Sequence, residues 1–281
     1  MGMLYLCATP IGNLQDMSPR IIETLKQVDL IAAEDTRNSI KLLNHFEVHT
    51  PMTSYHEYNK TEKAYTLIEK MKEGADVALI TDAGTPAISD PGEVLVKMCQ
   101  EAGITVTSLP GPVACITALT LSGLSTRRFC FEGFLPADKK ERLQILSDLK
   151  TEKRTMILYE APHHLKKTLE QLHDVLDDRK ITICRELTKK FETVMPTTLS
   201  AALAYYEENE PRGEYVLVIE GISAEELEAE KQKSFEQIPM EEHVANYEKQ
   251  GYNRKEAMKL TAKDRGITKR DVYQYLLNVK K

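Results

Sequence analysis

The 281-residue sequence lacks the features that mark membrane and secreted proteins. No apolar run approaches the roughly 20 residues that a membrane-spanning helix needs. The amino terminus (MGMLYLC) enters an apolar, strand-like run at once, without the basic segment or cleavage site of a secretory signal peptide. With 42% apolar and 28% charged residues, the composition predicts a soluble, cytoplasmic chain of about two globular domains that does not bind membranes.

Patterns typical of disulfides and metal sites are also missing. The five cysteines are scattered and include no C-x-x-C pair, which predicts buried hydrophobic side chains in a reducing compartment. The seven histidines show no ligand spacing, because the adjacent His163 and His164 cannot both point from one helix face. We therefore expect no metal site.

Several catalytic motifs do not occur. The chain contains neither a Walker loop nor G-x-G-x-x-G, which argues against a P-loop NTPase and a dinucleotide-binding Rossmann domain. G-x-S-x-G and H-E-x-x-H are absent as well, so nothing indicates an α/β-hydrolase or a zinc protease.

Short apolar runs alternate with helical patterns from Met3 to Gly221, which predicts an α/β fold with a mainly parallel sheet. The first group of predicted strands is Leu4–Ala8, Leu30–Ala33, Thr53–Tyr55, Val77–Ile80 and Thr105–Leu109. The helices between and after them are predicted at Pro19–Gln27, Thr36–His45, Thr61–Lys72, Pro91–Ala102 and Val113–Leu121.

A second group of strands follows residue 122. These strands are predicted at Phe129–Phe134, Met156–Tyr159, Ile181–Arg185, Phe191–Met195 and Tyr215–Ile219, and the helices at Lys140–Leu149, His163–Leu176 and Leu199–Glu208. Only a few residues separate the third and fourth of these strands, which indicates an antiparallel pair. The pattern predicts two α/β domains, residues 1–122 and 123–222, with a cleft between them.

The end of the chain changes in composition and charge. Residues 223–239 are acidic and helix-prone, and we interpret them as a linker or a surface helix. The last 33 residues contain ten basic and three acidic side chains, in a chain whose net charge is −6. Such asymmetry is typical of a segment that binds a polyanion, although a solvated helix face is the simpler alternative.

Residues 240–281 are predicted to form three short helices that resemble a helix-turn-helix module. Asn253–Glu256 and Thr268–Asp271 have the pattern of helix caps, and the last helix carries Val272, Tyr275, Leu276 and Val279 on one side. The candidate RNA-binding side chains are Arg254, Lys255, Lys259, Lys263, Lys269 and Arg270. A purely structural three-helix appendage is the alternative.

The stretch Thr81–Gly92 (TDAGTPAISDPG) follows a buried strand and precedes a helix, where ligands bind in open α/β sheets. Gly84 allows close approach of the backbone to a bound group. Asp90, Pro91 and Glu93 predict an N-cap, a first-turn proline and a capping box, as Asn59 and Glu62 do for an earlier helix. An ordinary tight connection is the alternative. Three other loops follow predicted strands at the same edge: Thr9–Asn13, Glu34–Arg37 and Pro110–Ala114.

These motifs, in this order, resemble one family along the whole chain. They are Thr9–Leu14 (TPIGNL), Ala33–Arg37 (AEDTR), Asp82–Pro86 (DAGTP), Ser89–Gly92 (SDPG), Leu109–Pro112 (LPGP), Glu132–Pro136 (EGFLP) and Tyr159–Pro162 (YEAP). The family is that of the bacterial small-subunit ribosomal RNA cytidine 2′-O-methyltransferases, a branch of the tetrapyrrole methylase superfamily. The resemblance implies two α/β domains, S-adenosylmethionine folded in their cleft, a homodimer, and a cytidine ribose in the decoding centre as substrate, in free RNA or in the assembled small subunit.

Carried over position by position, the resemblance implies a set of donor-binding residues: Pro10, Asp82, Gly84, Thr85, Pro86, Ile88, Val113, Ala114, Tyr159 and Glu160. For Tyr159, an ordinary core aromatic at the end of a strand is the alternative. Most tetrapyrrole methylases have a glycine-rich loop after the first strand, and Ala8–Gly12 departs from that pattern. This departure counts against a porphyrin-like substrate.

Methyl transfer to a ribose hydroxyl requires alignment of the hydroxyl and removal of its proton. The candidates on the predicted edge are Glu34, Asp35, Asp82 and His56, and we expect Asp35 to act on the hydroxyl while Arg37 holds an RNA phosphate. Helix capping by Asp35, with Arg37 paired locally, is the alternative. A same-fold methylase of a small molecule or protein side chain, or a non-catalytic ribosome assembly factor that binds RNA, remains a competing function.

Overall fold

A computed structural model of the chain describes residues 1–278, except the side chain of Glu236. The chain divides into two compact units, each with its own hydrophobic core. The first comprises Met1–Leu149 and Arg154–Glu220, and the second comprises Lys150–Lys153 and the chain from Gly221 onward.

The first unit begins with a parallel five-stranded sheet of order β3-β2-β4-β1-β5. Its strands are β1 (Met3–Cys7), β2 (Leu30–Ala33), β3 (Met52–Ser54), β4 (Val77–Ile80) and β5 (Thr105–Leu109). The helices are α1 (Pro19–Gln27), α2 (Thr36–His45), α3 (Lys60–Lys72), α4 (Gly92–Glu101) and α5 (Ala114–Leu121).

The central strand β4 shows how this sheet is stabilised. All four of its residues are buried, and they alternate between two separate hydrophobic clusters. Val77 and Leu79 pack in one cluster, and Ala78 and Ile80 pack in the other. Since successive side chains point to opposite faces of a strand, the apolar run VALI can cover both faces of the sheet at once.

The rest of the first unit is built on a mixed sheet of order β6-β7-β10-β8-β9. Its strands are β6 (Phe129–Phe134), β7 (Thr155–Glu160), β8 (Lys180–Arg185), β9 (Thr193–Thr198) and β10 (Tyr215–Ile219), and its helices are α6 (Lys139–Leu149), α7 (Pro162–Leu176) and α8 (Leu199–Glu208). Only β6 and β7 pair in parallel. One face packs on α6–α8 and the other on α5, which therefore joins the two sheets.

The strands and helices predicted for the two sheets are confirmed, with ends that shift by at most one residue, except for one strand. That strand was expected at Phe191–Met195 but runs from Thr193 to Thr198, because Phe191 lies in the preceding turn with 67% of its surface exposed. The predicted antiparallel pairing of β8 with β9 is confirmed. Four of the five cysteines are buried, as expected, and burial raises the pKa of the Cys7 thiol to about 12.

Two predicted capping boxes are wrong, because the side chains bind elsewhere. Helix α4 starts at Gly92, and Pro91 at its N-cap position has no side-chain hydrogen bond. Asp90 accepts the amides of Ala87 and Ile88 in the preceding loop as well as the Gly92 amide. Asn59 precedes α3, but its side chain accepts the His56 amide at 2.8 Å and does not cap the helix. In both cases the side chain accepts a hydrogen bond from an amide three residues earlier in the chain, in the loop before the helix.

Up to residue 278, the second unit contains four helices, α9 (Ala224–Glu236), α10 (Met240–Lys249), α11 (Arg254–Asp264) and α12 (Lys269–Asn278). The acidic segment is therefore helical, and the cap pairs at Asn253–Glu256 and Thr268–Asp271 are confirmed. Val244, Ala257, Val272 and Leu276 are in the core of α10–α12. Tyr275 was expected on the apolar side but is 45% exposed, and Val279 lies outside the described residues.

Within residues 1–278, no helix has the length and apolar character of a membrane span. The same part of the chain holds no cluster of three or more His, Cys, Asp or Glu side chains with the geometry of a metal site.

Candidate active site

The loops that follow β1, β4 and β5 are tied together at the carboxyl edge of the first sheet. Thr9 and Gly84 exchange two backbone hydrogen bonds, of 2.9 and 3.0 Å. The Thr9 hydroxyl donates to the carbonyl of Thr81 (3.0 Å), and the Thr85 hydroxyl donates to the carbonyl of Pro112 (3.0 Å). Gly84 has φ of +89°, which favours glycine at this position.

The loop after β4 is held in an uncommon backbone conformation. Ala87 and Ser89 both have positive φ, +68° and +63°, although neither is glycine. The Asp90 carboxylate accepts hydrogen bonds from the amides of Ala87 (3.0 Å), Ile88 (3.2 Å) and Gly92 (2.7 Å). Strain of this kind clusters at ligand sites and persists only where surrounding contacts stabilise it.

A cavity of about 540 Å³ opens above this loop, between it and the second sheet. Its size lies in the range of small-molecule and cofactor sites. The first sheet contributes Ile11, Glu34, Val113, Ala114 and most of Thr81–Asp90, and the second contributes Phe134, Tyr159–Pro162, Leu187 and Glu214–Val216. The pairing of β7 with β10 brings Glu160 opposite Tyr215 and Tyr159 opposite Val216, so adjacent strands supply that wall.

Tyr159 has both a structural and a site-facing role. Its hydroxyl accepts a hydrogen bond from the Cys115 amide (3.1 Å) in the first turn of α5, and burial raises the pKa of this hydroxyl. Its ring lines the cavity and packs edge-on against Phe131 and Phe134, at centroid distances of 4.9 and 5.5 Å. The residue therefore anchors α5 while it shapes the wall.

Glu160 is buried at the cavity wall and already has hydrogen-bond partners. One carboxylate oxygen accepts the Thr168 hydroxyl at 2.5 Å, and the other accepts the Ala161 amide at 2.8 Å. Arg142 donates to the same Thr168 hydroxyl at 2.6 Å. This network fixes the start of α7 beside the cavity.

The structure brings together eight of the ten predicted donor-binding residues around this cavity: Asp82, Gly84, Thr85, Ile88, Val113, Ala114, Tyr159 and Glu160. Pro10 and Pro86 do not line it, and Pro86 is buried. Among the candidate catalytic side chains, Asp82 and Glu34 line the cavity. Asp35, Arg37 and His56 do not.

Asp35 and Arg37 form a local pair at the start of α2. Asp35 caps the helix through the Arg37 amide (2.8 Å) and binds the Arg37 guanidinium at 3.1 and 2.9 Å. These hydrogen bonds lower the pKa of the Asp35 carboxyl to about 2. This geometry corresponds to the capping alternative, and a carboxylate with so low a pKa is a weak base.

Asp82 has the opposite electrostatic environment. Partial desolvation at the cavity wall raises the pKa of its carboxyl, and the negative charges of Glu34 and Asp35 raise it further. Its oxygens accept long hydrogen bonds of 3.3 Å from the Asn38 side chain and the Asp35 amide. Asp82 and Glu34 both line the cavity, but the Glu34 carboxylate accepts the Thr81 hydroxyl at 2.7 Å, whereas the hydrogen bonds to Asp82 are long, which favours Asp82 as the base.

Several cavity residues were not predicted from the sequence, chiefly Ile11, Ser89, Asp90, Leu187 and Glu214–Val216. The first three lie in recognised loops next to predicted residues, so a closer inspection of those loops could have found them. Leu187 and Glu214–Val216 lie in or beside the antiparallel part of the second sheet. The rule that loops after parallel strands share one edge does not apply there, so the sequence carries no signal for these residues.

Comparison with known proteins places this geometry in a family. Residues 3–203 match the family model described as Tetrapyrrole (Corrin/Porphyrin) Methylases. The Bacillus subtilis (strain 168) protein named ribosomal RNA small subunit methyltransferase I is 48% identical over 273 residues, which cover 97% of this chain and 93% of that protein. The proteins of the same name from Synechocystis and Escherichia coli O157:H7 are 47% and 44% identical, over 99% and 98% of this chain and 99% and 95% of their own lengths.

Solved structures share the fold at low sequence identity. A crystal structure of diphthine synthase superposes with a TM-score of 0.63 at 14% identity, covering 78% of this chain and 90% of that one. The methyltransferase CobJ gives a TM-score of 0.60 at 18% identity, covering 79% and 95%. This chain belongs to the tetrapyrrole methylase family, and within it to the group whose members are named ribosomal RNA small subunit methyltransferase I.

Proposed function

We propose that this protein is an S-adenosylmethionine-dependent methyltransferase that acts on small-subunit ribosomal RNA, at the ribose 2′-hydroxyl of a cytidine in the decoding centre. The cavity at the carboxyl edge of the first sheet carries this proposal, because eight residues that resemble the family's donor site surround it. The names of relatives that are 44–48% identical over nearly the whole chain support the RNA substrate. The ribose position, the cytidine and a homodimeric state rest on the family resemblance.

The residues of the cavity fit this cofactor in shape and in charge. Small residues, Ala83, Gly84 and Ala114, leave backbone groups accessible to a flat base and to a methionine moiety. The wall also carries the Glu34 carboxylate, which complements the positive charge of the sulfonium and ammonium groups, whereas the Glu214 carboxylate is paired with Lys189. Because Glu160 and Asp90 are occupied by protein hydrogen bonds, we assign them to the shape of the site.

In this mechanism the chain aligns the ribose hydroxyl and removes its proton. When bound, S-adenosylmethionine supplies an electrophilic methyl group on a sulfonium and a neutral thioether leaving group. Asp82 accepts the hydroxyl proton at a carboxylate oxygen as the oxygen–methyl bond forms, a role that contributes about 10²–10⁴ in rate. This assignment replaces the expectation for Asp35, whose carboxylate is neutralised by Arg37 and does not line the cavity.

The basic end of the second unit, residues 249–281, has the charge expected for contact with the RNA of the small subunit. Lys255, Lys259 and Lys263 follow each other at four-residue intervals, which places them on one face of α11, and all three are exposed. Lys269 and Arg270 lie in the first turn of α12, and Arg254 pairs with Glu248 at 3.2 Å. We assign the lysine face of α11 and the first turn of α12 to phosphate binding.

The test begins with calorimetric titration of S-adenosylmethionine into the full-length protein and into Gly84→Val. The variant should lose measurable binding, because a branched side chain is strained at φ of +89° and its Cβ would lie 3.4 Å from the Ile11 side chain. Gly103→Val is the matched control, since Gly103 has φ of +70° with open space around it. Thermal denaturation of both variants separates a lost site from a lost fold.

The second step measures methyl transfer from labelled cofactor to free small-subunit RNA and to assembled subunits, followed by mass spectrometry of the nucleosides. We expect 2′-O-methylcytidine as the product. A folded wild-type protein that neither binds the cofactor nor transfers a methyl group to either substrate would refute the proposal.

A further inference from the structure

A second, open cavity lies beside the candidate donor site, and the loops after β1 and β8 contribute residues to both. This groove has a volume of about 840 Å³ and is lined by Gly12, Asn13, Leu14, Gln15, His45, Thr188, Lys189 and Lys190. Ile11 and Leu187 line the first cavity, and the groove begins with the next residue on each loop, Gly12 and Thr188. A polymer with one of its units in the first cavity would therefore place the neighbouring units along this groove.

Direct contacts hold the two loops together. The Asn13 amide donates to the Thr188 hydroxyl at 3.1 Å. A Cβ at Gly12 would lie 2.9 Å from the Leu187 carbonyl and 2.4 Å from the Lys189 side chain, so the close approach requires glycine. The floor of the groove is thus a built feature of the first unit.

The loop between β8 and β9 also has a strained conformation. Glu186 and Thr188 have φ of +52° and +64°, an uncommon region for residues other than glycine and especially so for a β-branched threonine. The Glu192 carboxylate accepts the Thr188 amide at 2.6 Å, and the Glu186 amide donates to the Glu214 carbonyl at 3.0 Å. These contacts stabilise a turn that presents Lys190 and Phe191 to solvent.

The side chains on this turn differ in the charge that they offer. Lys189 is neutralised by Glu186 and Glu214, at 3.0 and 2.8 Å. Lys190 is exposed and lies 5.6 Å from the ring centroid of Phe191, which is itself 67% exposed. No carboxylate of residues 1–278 pairs with Lys190, so its charge is available to an anion.

We propose that this groove binds the single-stranded RNA next to the target nucleotide. Lys190 and the exposed His45 bind phosphate, Phe191 provides a stacking surface for an unpaired base, and the Asn13 and Gln15 side chains offer hydrogen bonds to base edges or ribose. An unpaired cation beside an exposed aromatic ring is the combination by which proteins hold single-stranded nucleic acid without reading its sequence. The inference rests on the proposed function, because it assumes that a nucleotide of the RNA enters the first cavity.

The test uses Lys190→Gln and Phe191→Ala in the full-length protein, with Lys70→Gln and Tyr65→Ala as matched controls. Lys70 and Tyr65 are exposed on α3, Tyr65 to 62%, and line neither cavity. Binding of a labelled single-stranded fragment of the decoding region is measured across a salt series, together with cofactor affinity and thermal stability.

We expect Phe191→Ala to raise the Kd for the fragment about tenfold. Lys190→Gln should reduce the slope of log K against log salt by about 0.7, the value for one phosphate contact on a single strand. Cofactor affinity and thermal stability should stay unchanged in both variants, and the controls should bind RNA as the wild type does.

Ultraviolet crosslinking of the fragment, followed by peptide mapping, gives a readout that does not depend on methyl transfer. Crosslinks in residues 186–192 would support the groove. Wild-type RNA affinity in both variants, or crosslinks only elsewhere in the chain, would overturn it even if the enzyme methylates RNA. Failure of the proposed function would instead appear as absent cofactor binding and absent transfer by the wild-type protein.

Discussion

Asp90 and Ala87 are joined by a hydrogen bond of 3.0 Å that holds Ala87 at φ of +68°. The same carboxylate accepts the amides of Ile88 and Gly92, so one side chain stabilises the whole turn between β4 and α4. Ser89 and Ile88 line the candidate donor cavity. The shape of that wall therefore depends on Asp90, which was expected only to cap a helix.

Asp90→Ala should release this turn. The loss of a carboxylate that satisfies three amides costs on the order of 1–3 kcal/mol of stability, and the strained residues should relax. We expect S-adenosylmethionine affinity to fall at least tenfold. Calorimetry and thermal denaturation measure the two effects. Asp90→Asn keeps an acceptor oxygen and should be milder, and equal affinity in Asp90→Ala and wild type would contradict this role.

Asp82→Asn tests the assignment of the proton acceptor. The amide cannot accept a proton, so kcat should fall about 10²–10⁴-fold while the Kd for the cofactor changes little. Asp35→Asn is the matched control, and its effect on kcat should be much smaller. If Asp82 instead holds the ammonium group of the cofactor, the variant would lose cofactor affinity in proportion to its loss of activity.

The same assignment predicts a pH dependence. A base must be deprotonated to act, so the rate should fall as pH drops through the pKa of Asp82. Desolvation and the neighbouring carboxylates hold this pKa above the ordinary aspartate value, so the fall should begin at a higher pH than for a free carboxyl group. Single-turnover rates across pH measure it, and a profile unchanged in Asp82→Asn would argue for another base.

Much of the fold could be predicted because the first sheet is parallel and buried on both faces. Runs such as Val77–Ile80 are continuously apolar, and helices fall between them at regular intervals. The position of β9 was predicted wrongly, because it is an edge strand that pairs with β8 alone. Thr198, which caps α8, is the one residue of β9 that marks where the strand ends. The predicted strand therefore began at the apolar Phe191, two residues before the observed start, although this side chain is exposed.

The site was predictable only where topology dictates it. Loops after parallel strands must share one edge, so Gly84, Thr85 and Val113 could be grouped before the structure was known. The local sequence does not show which groups a carboxylate binds in the folded protein. Asp35 and Asp82 looked equivalent as edge carboxylates, and the contacts with Arg37 and with the cavity wall separate them.

The lysine face of α11 gives a further prediction. Replacement of Lys255, Lys259 and Lys263 by glutamine should weaken RNA binding and reduce its salt slope by about 2 to 3, because each phosphate contact contributes roughly 0.7–0.9. The core of α10–α12 is untouched, so stability should hold. Replacement of Lys231 and Lys233 in the acidic α9 is the control, and an unchanged slope in the triple variant would remove α11 from the RNA surface.

The last prediction concerns His243, which is buried in the second unit. Its Nδ1 accepts a hydrogen bond from Arg265 Nε at 3.2 Å, and since arginine can only donate, the ring is neutral and its Nε2 donates to Asp264 at 3.2 Å. The rings of Phe235 and Tyr247 both stack on the imidazole, and Tyr247 also donates to Asp264. Burial and the positive charge of Arg265 lower the pKa of His243.

Because this pKa is lower in the folded state than in the unfolded state, the unfolded chain binds the proton more readily. The stabilisation is therefore complete above the unfolded value of about 6.5 and is lost as pH falls below it. Hydrogen exchange of peptides from α10–α12 in the full-length protein should show faster opening from pH 7 to pH 5, after correction for intrinsic exchange rates. His243→Gln keeps a hydrogen-bond donor and an acceptor but does not titrate in this range, so the opening of α10–α12 in the variant should no longer depend on pH. The same acceleration in the variant and the wild type would assign the pH dependence to another group.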